Sequence, residues 1–171
     1  NLLNNLDLKV AFDTANGATH KIALKVIKDL TNNFVQIGNE PNGLNINLNV
    51  GSTHIDSIIE AVKESNSHIG LSFDGDGDRL LVVDNNGKVF DGDLIVYIIA
   101  KYLKKSNKLN SDTVVLTKMS NPGILKAYRE LGIKTVLTDV GDKYVSNEIV
   151  INNYTIGGEN SGHIIINDLL P

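Results

Sequence analysis

In Ile69-Gly70-Leu71-Ser72-Phe73-Asp74-Gly75-Asp76-Gly77-Asp78-Arg79, an apolar run gives way to three carboxylates on alternate residues, separated by glycines and closed by an arginine. A short apolar run bounded in this way predicts a buried strand. The loop then lies at the strand's carboxyl end, where open α/β sheets place their ligand sites. Three like charges this close repel one another, and a bound cation is the simplest reason to tolerate them. The glycines let side chains that would alternate along a strand converge from a loop. All-oxygen ligation by Asp74, Asp76 and Asp78 suits a hard ion, magnesium ahead of calcium when a phosphate completes the shell. Arg79, one of only two arginines in the chain, has the planar shape that holds phosphate oxygens in a bidentate grip.

Other readings of these residues make different demands. An EF-hand calcium loop wants Gly where Arg79 stands and Glu where Asn85 stands. A solvated acidic turn needs no ligand, but it gives no reason for strict spacing behind an apolar strand. A haloacid-dehalogenase phosphatase remains the serious alternative, because Phe73-Asp74-Gly75-Asp76-Gly77 looks like that family's strand-end motif, with Asp74 as nucleophile. There a Thr or Val is usual where Asp78 stands, and a hydrophobic residue where Gly75 stands.

Around this loop, apolar strands alternate with amphipathic helices, which predicts an α/β fold of two related domains with mixed, mainly parallel sheets flanked by helices. Strands are expected over residues 8–12 and 34–37. Helices are expected over 16–30, with Ile22, Val26, Ile27 and Leu30 on the apolar side, and over 55–65. Asn85-Asn86-Gly87 reads as the turn of a hairpin formed by 80–84 and 88–90, followed by a helix over 91–103. The polar run 104–111 is the linker candidate, dividing the chain into domains 1–106 and 107–171; the alternative is an exposed loop inside one domain. Beyond it, a strand over 114–117, a turn at Asn121 and a helix through Leu131 echo the start of the chain, with Asn16 and Asn121 as the two N-caps. Residues 133–138 read as a strand and 142–149 as a helix.

Gly157-Gly158-Glu159-Asn160-Ser161-Gly162-His163 is a polar, glycine-bracketed loop between two short strands, 154–156 and 164–166. Its carboxylate, hydroxyl and imidazole suit a sugar's hydroxyls and phosphate, and a plain hairpin has no need of all three. It fails as a dinucleotide fingerprint, because Glu159 occupies the place of the middle glycine.

At 171 residues and 42% apolar content the chain can bury a sizeable core. It has no run long enough for a membrane span, and Asn1-Leu2-Leu3-Asn4-Asn5 lacks the regions of a signal peptide. The expectation is therefore a cytoplasmic protein that does not engage a membrane. A net charge of −4 argues against nucleic acid as the main partner. The absence of cysteine removes disulfides, thiolate ligands and a cysteine nucleophile. His20, His54 and His68 read as surface or capping residues. Lys143, after a Gly-Asp turn, reads as either a phosphate contact or a solvated helix-start lysine.

Taken together, the Asp74 and Glu159 loops resemble the α-D-phosphohexomutase superfamily, in which D-G-D-G-D-R is the magnesium loop of the second domain and G-E-x-S-G-H the sugar loop of the third. The segments Gly38 to Asn47 and Gly51-Ser52-Thr53-His54 are similar to the phosphoglucosamine mutase branch. Asp13-Thr14-Ala15-Asn16-Gly17-Ala18, Met119-Ser120-Asn121 and Val140-Gly141-Asp142-Lys143-Tyr144-Val145 extend the likeness over nearly the whole chain. The resemblance implies an isomerase of amino-sugar metabolism and peptidoglycan precursor synthesis. Such an enzyme interconverts glucosamine 6-phosphate and glucosamine 1-phosphate through a phosphoserine and a bisphosphate intermediate. Phosphomannomutase or phosphoglucomutase activity is the alternative within the superfamily.

The resemblance also assigns roles. Asp74, Asp76 and Asp78 hold Mg2+, Arg79, Lys143 and His163 act in catalysis, and Glu159, Ser161 and His163 bind the phosphorylated hexosamine across a cleft from the metal loop. The family's serine loop has no counterpart here, and Ser120-Asn121-Pro122 is only an echo of it. The chain is therefore expected to be a fragment whose partners are the first and fourth domains of the same enzyme, and to be inactive by itself.

Overall fold

A computed structural model describes residues 7–167 of the chain. Asn1 to Asn5, read as lacking the regions of a signal peptide, and the last residues up to Pro171 lie outside the described residues. Two compact units meet in sequence after Phe90. In the first, β1 (Val10–Asp13), α1 (His20–Leu30), β2 (Phe34–Ile37), α2 (Asp56–Ser65), β3 (Ile69–Phe73), β4 (Leu80–Asp84) and β5 (Val89–Phe90) build a five-stranded sheet in the order β2-β1-β3-β4-β5. In the second, α3 (Gly92–Lys105), β6 (Thr113–Thr117), α4 (Pro122–Glu130), β7 (Lys134–Thr138), α5 (Asp142–Asn152), β8 (Ile156–Gly158) and β9 (Ile164–Ile166) build a four-stranded sheet in the order β7-β6-β8-β9.

The two sheets share one plan. β1 runs parallel to β2 and β3, and β4 adds antiparallel to β3. Likewise β6 runs parallel to β7 and β8, and β9 adds antiparallel to β8. The repeat expected from the sequence is thus a repeat of topology in two mixed α/β sheets.

Each central strand is buried on both faces, as a strand covered by helices on either side must be. Alternation sends Val10 and Phe12 toward Ala23 and Ile27 of α1, while Ala11 meets Ile58 and Val62 of α2 together with Val83. In the second sheet Val114 and Leu116 pack with Val96 and Ala100 of α3 and with Ile124 and Tyr128 of α4. Val115 faces the other way, toward Val145 and Ile149 of α5. Burying one side chain of the size of Phe12 or Leu116 contributes about 1.5–3 kcal/mol.

The boundary expected at 106 and 107 falls earlier, because α3 belongs to the second unit. Its Val96 and Ala100 are fully buried in that unit's core, and the burial of a helix face outweighs the polarity of the loop after it. Residues 104–111 therefore lie within one unit, running from the last turn of α3 through a short connection. Lys104 pairs with Asp112 at 3.0 Å there, and a short 3₁₀ turn spans Asn110–Asp112.

α1 begins at His20 instead of Asn16, because Ala15 and Asn16 take left-handed backbone, φ 54° and 48°, which a right-handed helix cannot include. Asn16 is consequently no N-cap: it accepts the Glu40 N–H and donates to the Asn45 carbonyl. Asn121 does cap α4, accepting the Gly123 N–H at 2.8 Å. The buried stripe of α1 is Ala23 and Ile27; Ile22 and Val26, expected on the apolar side, are more than half exposed. β8 begins at Ile156, since the Thr155 hydroxyl is engaged with the loop, accepting from the Asn110 N–H and donating to the Lys108 carbonyl. The 80–90 hairpin forms as read, with Asp84 Oδ1 accepting the Asn86 and Lys88 N–H groups across its turn.

Candidate functional site

The loop between β3 and β4 gathers the three aspartates. One carboxylate oxygen from each of Asp74, Asp76 and Asp78 lies within 4.8 Å of the others; Asp74 is buried, and Asp76 and Asp78 are exposed. Asp74 shapes the loop from inside, its Oδ1 accepting the Gly77 N–H at 3.1 Å and the Arg79 N–H at 3.2 Å. Arg79 Nε stands 3.8 Å from both Asp74 Oδ2 and Asp78 Oδ1, so one half-exposed guanidinium faces two of the three carboxylates. Burial holds the Asp74 carboxyl above its ordinary value, opposed by the Arg79 N–H and reinforced by the charges of Asp76 and Asp78 and by contact with Asp78. A buried carboxyl raised by two like neighbours is the electrostatic situation that a hard cation relieves. The donor set fits magnesium.

Neighbouring segments hold this loop in place. Gly77 has φ 81°, and a Cβ there would run into the methyl group of Thr19, so the turn admits only glycine without strain. Ala18 donates its N–H to the Gly75 carbonyl at 2.9 Å, and Ser52 donates to the Phe73 carbonyl at 2.9 Å. Asp13, fully buried at the end of β1, ties these flanking segments together: Oδ1 accepts the Ala15 N–H, and Oδ2 accepts the Gly51 N–H and the Ser57 hydroxyl. Asp13 was not singled out from the sequence as a functional residue. Its signal is a charge ending the apolar run Val10-Ala11-Phe12 at a carboxyl strand end.

In the second unit, the turn from Glu159 to His163 joins β8 to β9. The Glu159 N–H donates to the His163 carbonyl at 2.9 Å, and the Gly162 N–H to the Glu159 carbonyl at 3.1 Å. Asn160 and Ser161 stand exposed at the tip, with His163 half-buried at its base. Glu159 is largely buried, and its Oε1 accepts the Gly141 N–H at 2.8 Å. Gly141 precedes α5, so the carboxylate is tied to the start of the helix that carries Lys143. Lys143 is exposed, its ammonium 4.8 Å from the centre of the Tyr144 ring.

The same sheet edge carries a pair that has no local signal in the sequence. Lys118, at the end of β6, bonds Asp139 after β7 at 2.7 Å, and that hydrogen bond and charge hold Lys118 above the ordinary lysine value. The remaining histidines have local roles. His20 Nδ1 lies 2.9 Å from the Gly17 carbonyl, His54 Nδ1 lies 3.2 Å from the Thr53 hydroxyl, and His68 Nδ1 accepts the Lys9 N–H. Among the described residues no helix is long and apolar enough to cross a membrane.

The chain is similar to known proteins over both units. Residues 1–87 match the family model for phosphoglucomutase/phosphomannomutase α/β/α domain II, and residues 91–170 match that for domain III. A phosphoglucosamine mutase of Streptococcus pneumoniae serotype 2 is 53% identical over 161 residues, 94% of this chain and 36% of the relative. The chain thus spans about a third of the length of the curated relatives it matches. Among solved structures, a phosphoglucomutase/phosphomannomutase family protein from Burkholderia thailandensis superposes with a TM-score of 0.80 at 25% identity, over 94% of this chain and 35% of that one. The fold also recurs, with a TM-score of 0.69 at 20% identity, in an Aspergillus fumigatus N-acetylphosphoglucosamine mutase solved in complex with GlcNAc-6P and magnesium; that match spans 95% of this chain and 34% of the other. With family models for consecutive domains spanning nearly all of its length, the chain belongs to the phosphoglucomutase/phosphomannomutase family and carries that family's domains II and III.

Proposed function

We propose that the chain is the metal-loop and sugar-loop part of a cytoplasmic phosphoglucosamine mutase, an isomerase that interconverts glucosamine 6-phosphate and glucosamine 1-phosphate. The observation that carries this reading is the convergence of Asp74, Asp76 and Asp78 beside Arg79, in a chain 53% identical to phosphoglucosamine mutases over 94% of its length. Asp74, Asp76 and Asp78 would hold Mg2+. Bound there, it supplies positive charge that offsets the charge spread over the oxygens of a transferring phosphoryl group.

The chain's own residues then do the following. Arg79 steadies phosphate oxygens with its planar fork. Glu159 and Ser161 hold sugar hydroxyls in both orientations of the substrate, and the charged acceptor strengthens its hydrogen bond to a hydroxyl. His163 binds phosphate or moves a proton at the bridging oxygen, and Lys143 serves the phosphate from the start of α5. The resemblance assigns the phosphoserine and a further phosphate-binding domain to domains other than II and III.

The test is turnover of glucosamine 6-phosphate by the complete protein, with and without Asp76→Asn. The substitution preserves the loop's shape and should lower kcat at least a hundredfold, on the order of the loss when one transition-state electrostatic group is removed. Unchanged kcat in folded Asp76→Asn would count against the assignment.

A further inference from the structure

The first turn of α3 stands between two loops at one edge of the second sheet. β6 and β8 run parallel, so the loop after β6 and the turn after β8 emerge on the same side. Gly92 donates its N–H to the Asn160 carbonyl at 3.1 Å. It lies so close to that turn that an added Cβ would run into the Glu159 carbonyl oxygen and sit 2.8 Å from Gly162 N. The obstacle on both sides is backbone, so a side chain at Gly92 is accommodated only by moving the turn. One residue on, Asp93 is only 2% exposed, and its Oδ2 accepts the Asn121 N–H at 2.8 Å. Asn121 closes the loop after β6 and caps α4.

Asp93 is not the cap of its own helix. That role belongs to Asp91, which accepts the Leu94 N–H. The Asp93 carboxylate instead serves the neighbouring loop. Its Oδ1, with Thr117 Oγ1, Ser120 Oγ and the Tyr128 hydroxyl, is buried without a hydrogen-bond partner in the protein. Burial, and after it the Asp93 charge, pushes the Tyr128 phenol well above its ordinary range. A carboxylate kept in so dry a place is poorly explained by packing, since an apolar side chain would occupy the space with no desolvation cost.

We propose that Asp93 is a positioning residue for the substrate-facing edge of the second unit. Through Asn121 it fixes the loop after β6, while Gly92 beside it seats the Glu159 turn, so one helix turn sets the spacing of both loops. The inference rests on the reading of the Glu159 turn as the sugar grip.

The test compares Asp93→Ala, Asp93→Asn and Gly92→Ala in the complete protein, reading KM and kcat for glucosamine 6-phosphate, phosphoserine content, and hydrogen exchange of segments 118–121 and 159–163. Asp93→Ala should raise KM about tenfold with phosphoserine content unchanged, and should speed exchange in segment 118–121. Asp93→Asn keeps an oxygen for the Asn121 N–H and offers its amide to the unpartnered hydroxyls, so it should restore KM to within about twofold of wild type. Gly92→Ala should raise KM and speed exchange in segment 159–163. Should Asp93→Ala not fold, Gly92→Ala decides by the same readouts. Wild-type KM and exchange in the folded variants, or Asp93→Asn as impaired as Asp93→Ala, would overturn the proposal. If the wild-type protein leaves glucosamine 6-phosphate unconverted, the functional reading fails, and hydrogen exchange alone decides the positioning.

Discussion

Gly141 donates its backbone N–H to Oε1 of Glu159 across 2.8 Å, joining the turn after β8 to the start of α5. A residue read from the sequence as a grip on sugar hydroxyls is therefore also a strut for the loop that leads to Lys143.

The observed strut and the proposed sugar grip of Glu159 separate by substitution. Glu159→Gln keeps an oxygen for Gly141 and should leave the stability of the chain nearly unchanged, while weakening sugar binding in the complete protein. Glu159→Ala removes the acceptor and leaves the Gly141 N–H in a part-buried place, which should cost about 1–3 kcal/mol in denaturant unfolding. Equal stability of the alanine variant and the wild type would show that the strut has no energetic weight.

Magnesium should stabilise the chain, because binding to the folded state alone adds about 2.7 kcal/mol at a hundredfold excess over Kd. Asp76→Asn and Asp78→Asn each remove one of the three converging charges. Each should raise the melting temperature measured without metal and abolish the response to magnesium. A magnesium response retained in both variants would place the ion elsewhere.

The raised Asp74 carboxyl has a consequence for acid stability. Its protonated form is favoured in the folded chain, so the folded state binds the proton more tightly than the unfolded state. The corresponding stability is fully present below the ordinary value of 3.8 and is lost as pH rises through the folded value. Asp74→Asn should flatten this part of the metal-free pH profile. A wild-type profile whose stability rises over that window, with Asp74→Asn following it, would contradict the upward shift of Asp74.

The 171-residue chain should not turn over glucosamine 6-phosphate by itself. Ser52, after Gly51, and Ser161, before Gly162, lie outside the family's serine motif, and Ser120 is 5% exposed. A coupled assay for glucosamine 1-phosphate on the purified chain checks this, and turnover would refute it.

The convergence of the three aspartates and the polar turn after β8 were legible because each is local: Asp74 to Arg79 and Glu159 to His163 each carry their residues within one short loop. The strands and helices around them followed from hydrophobic period, and the hairpin from Asn-Gly. What escaped depends on distant partners. The allegiance of α3 is set by Val96 and Ala100 meeting a core built from later strands, which no local polar run reveals. The start of α1 is delayed by left-handed backbone at Ala15, a residue type that gives little notice of it. The Gly141–Glu159 bond and the Asp13 hub join residues separated in sequence, and only the strand order brings them together.

The most direct test of the central claim is phosphorus NMR of glucosamine 6-phosphate incubated with the complete protein and magnesium. The account expects glucosamine 1-phosphate to appear, with conversion lost on chelation of magnesium and in Asp76→Asn. Release of inorganic phosphate without the 1-phosphate, accompanied by a beryllofluoride adduct on Asp74, would contradict it and favour a phosphatase that uses Asp74 as its nucleophile.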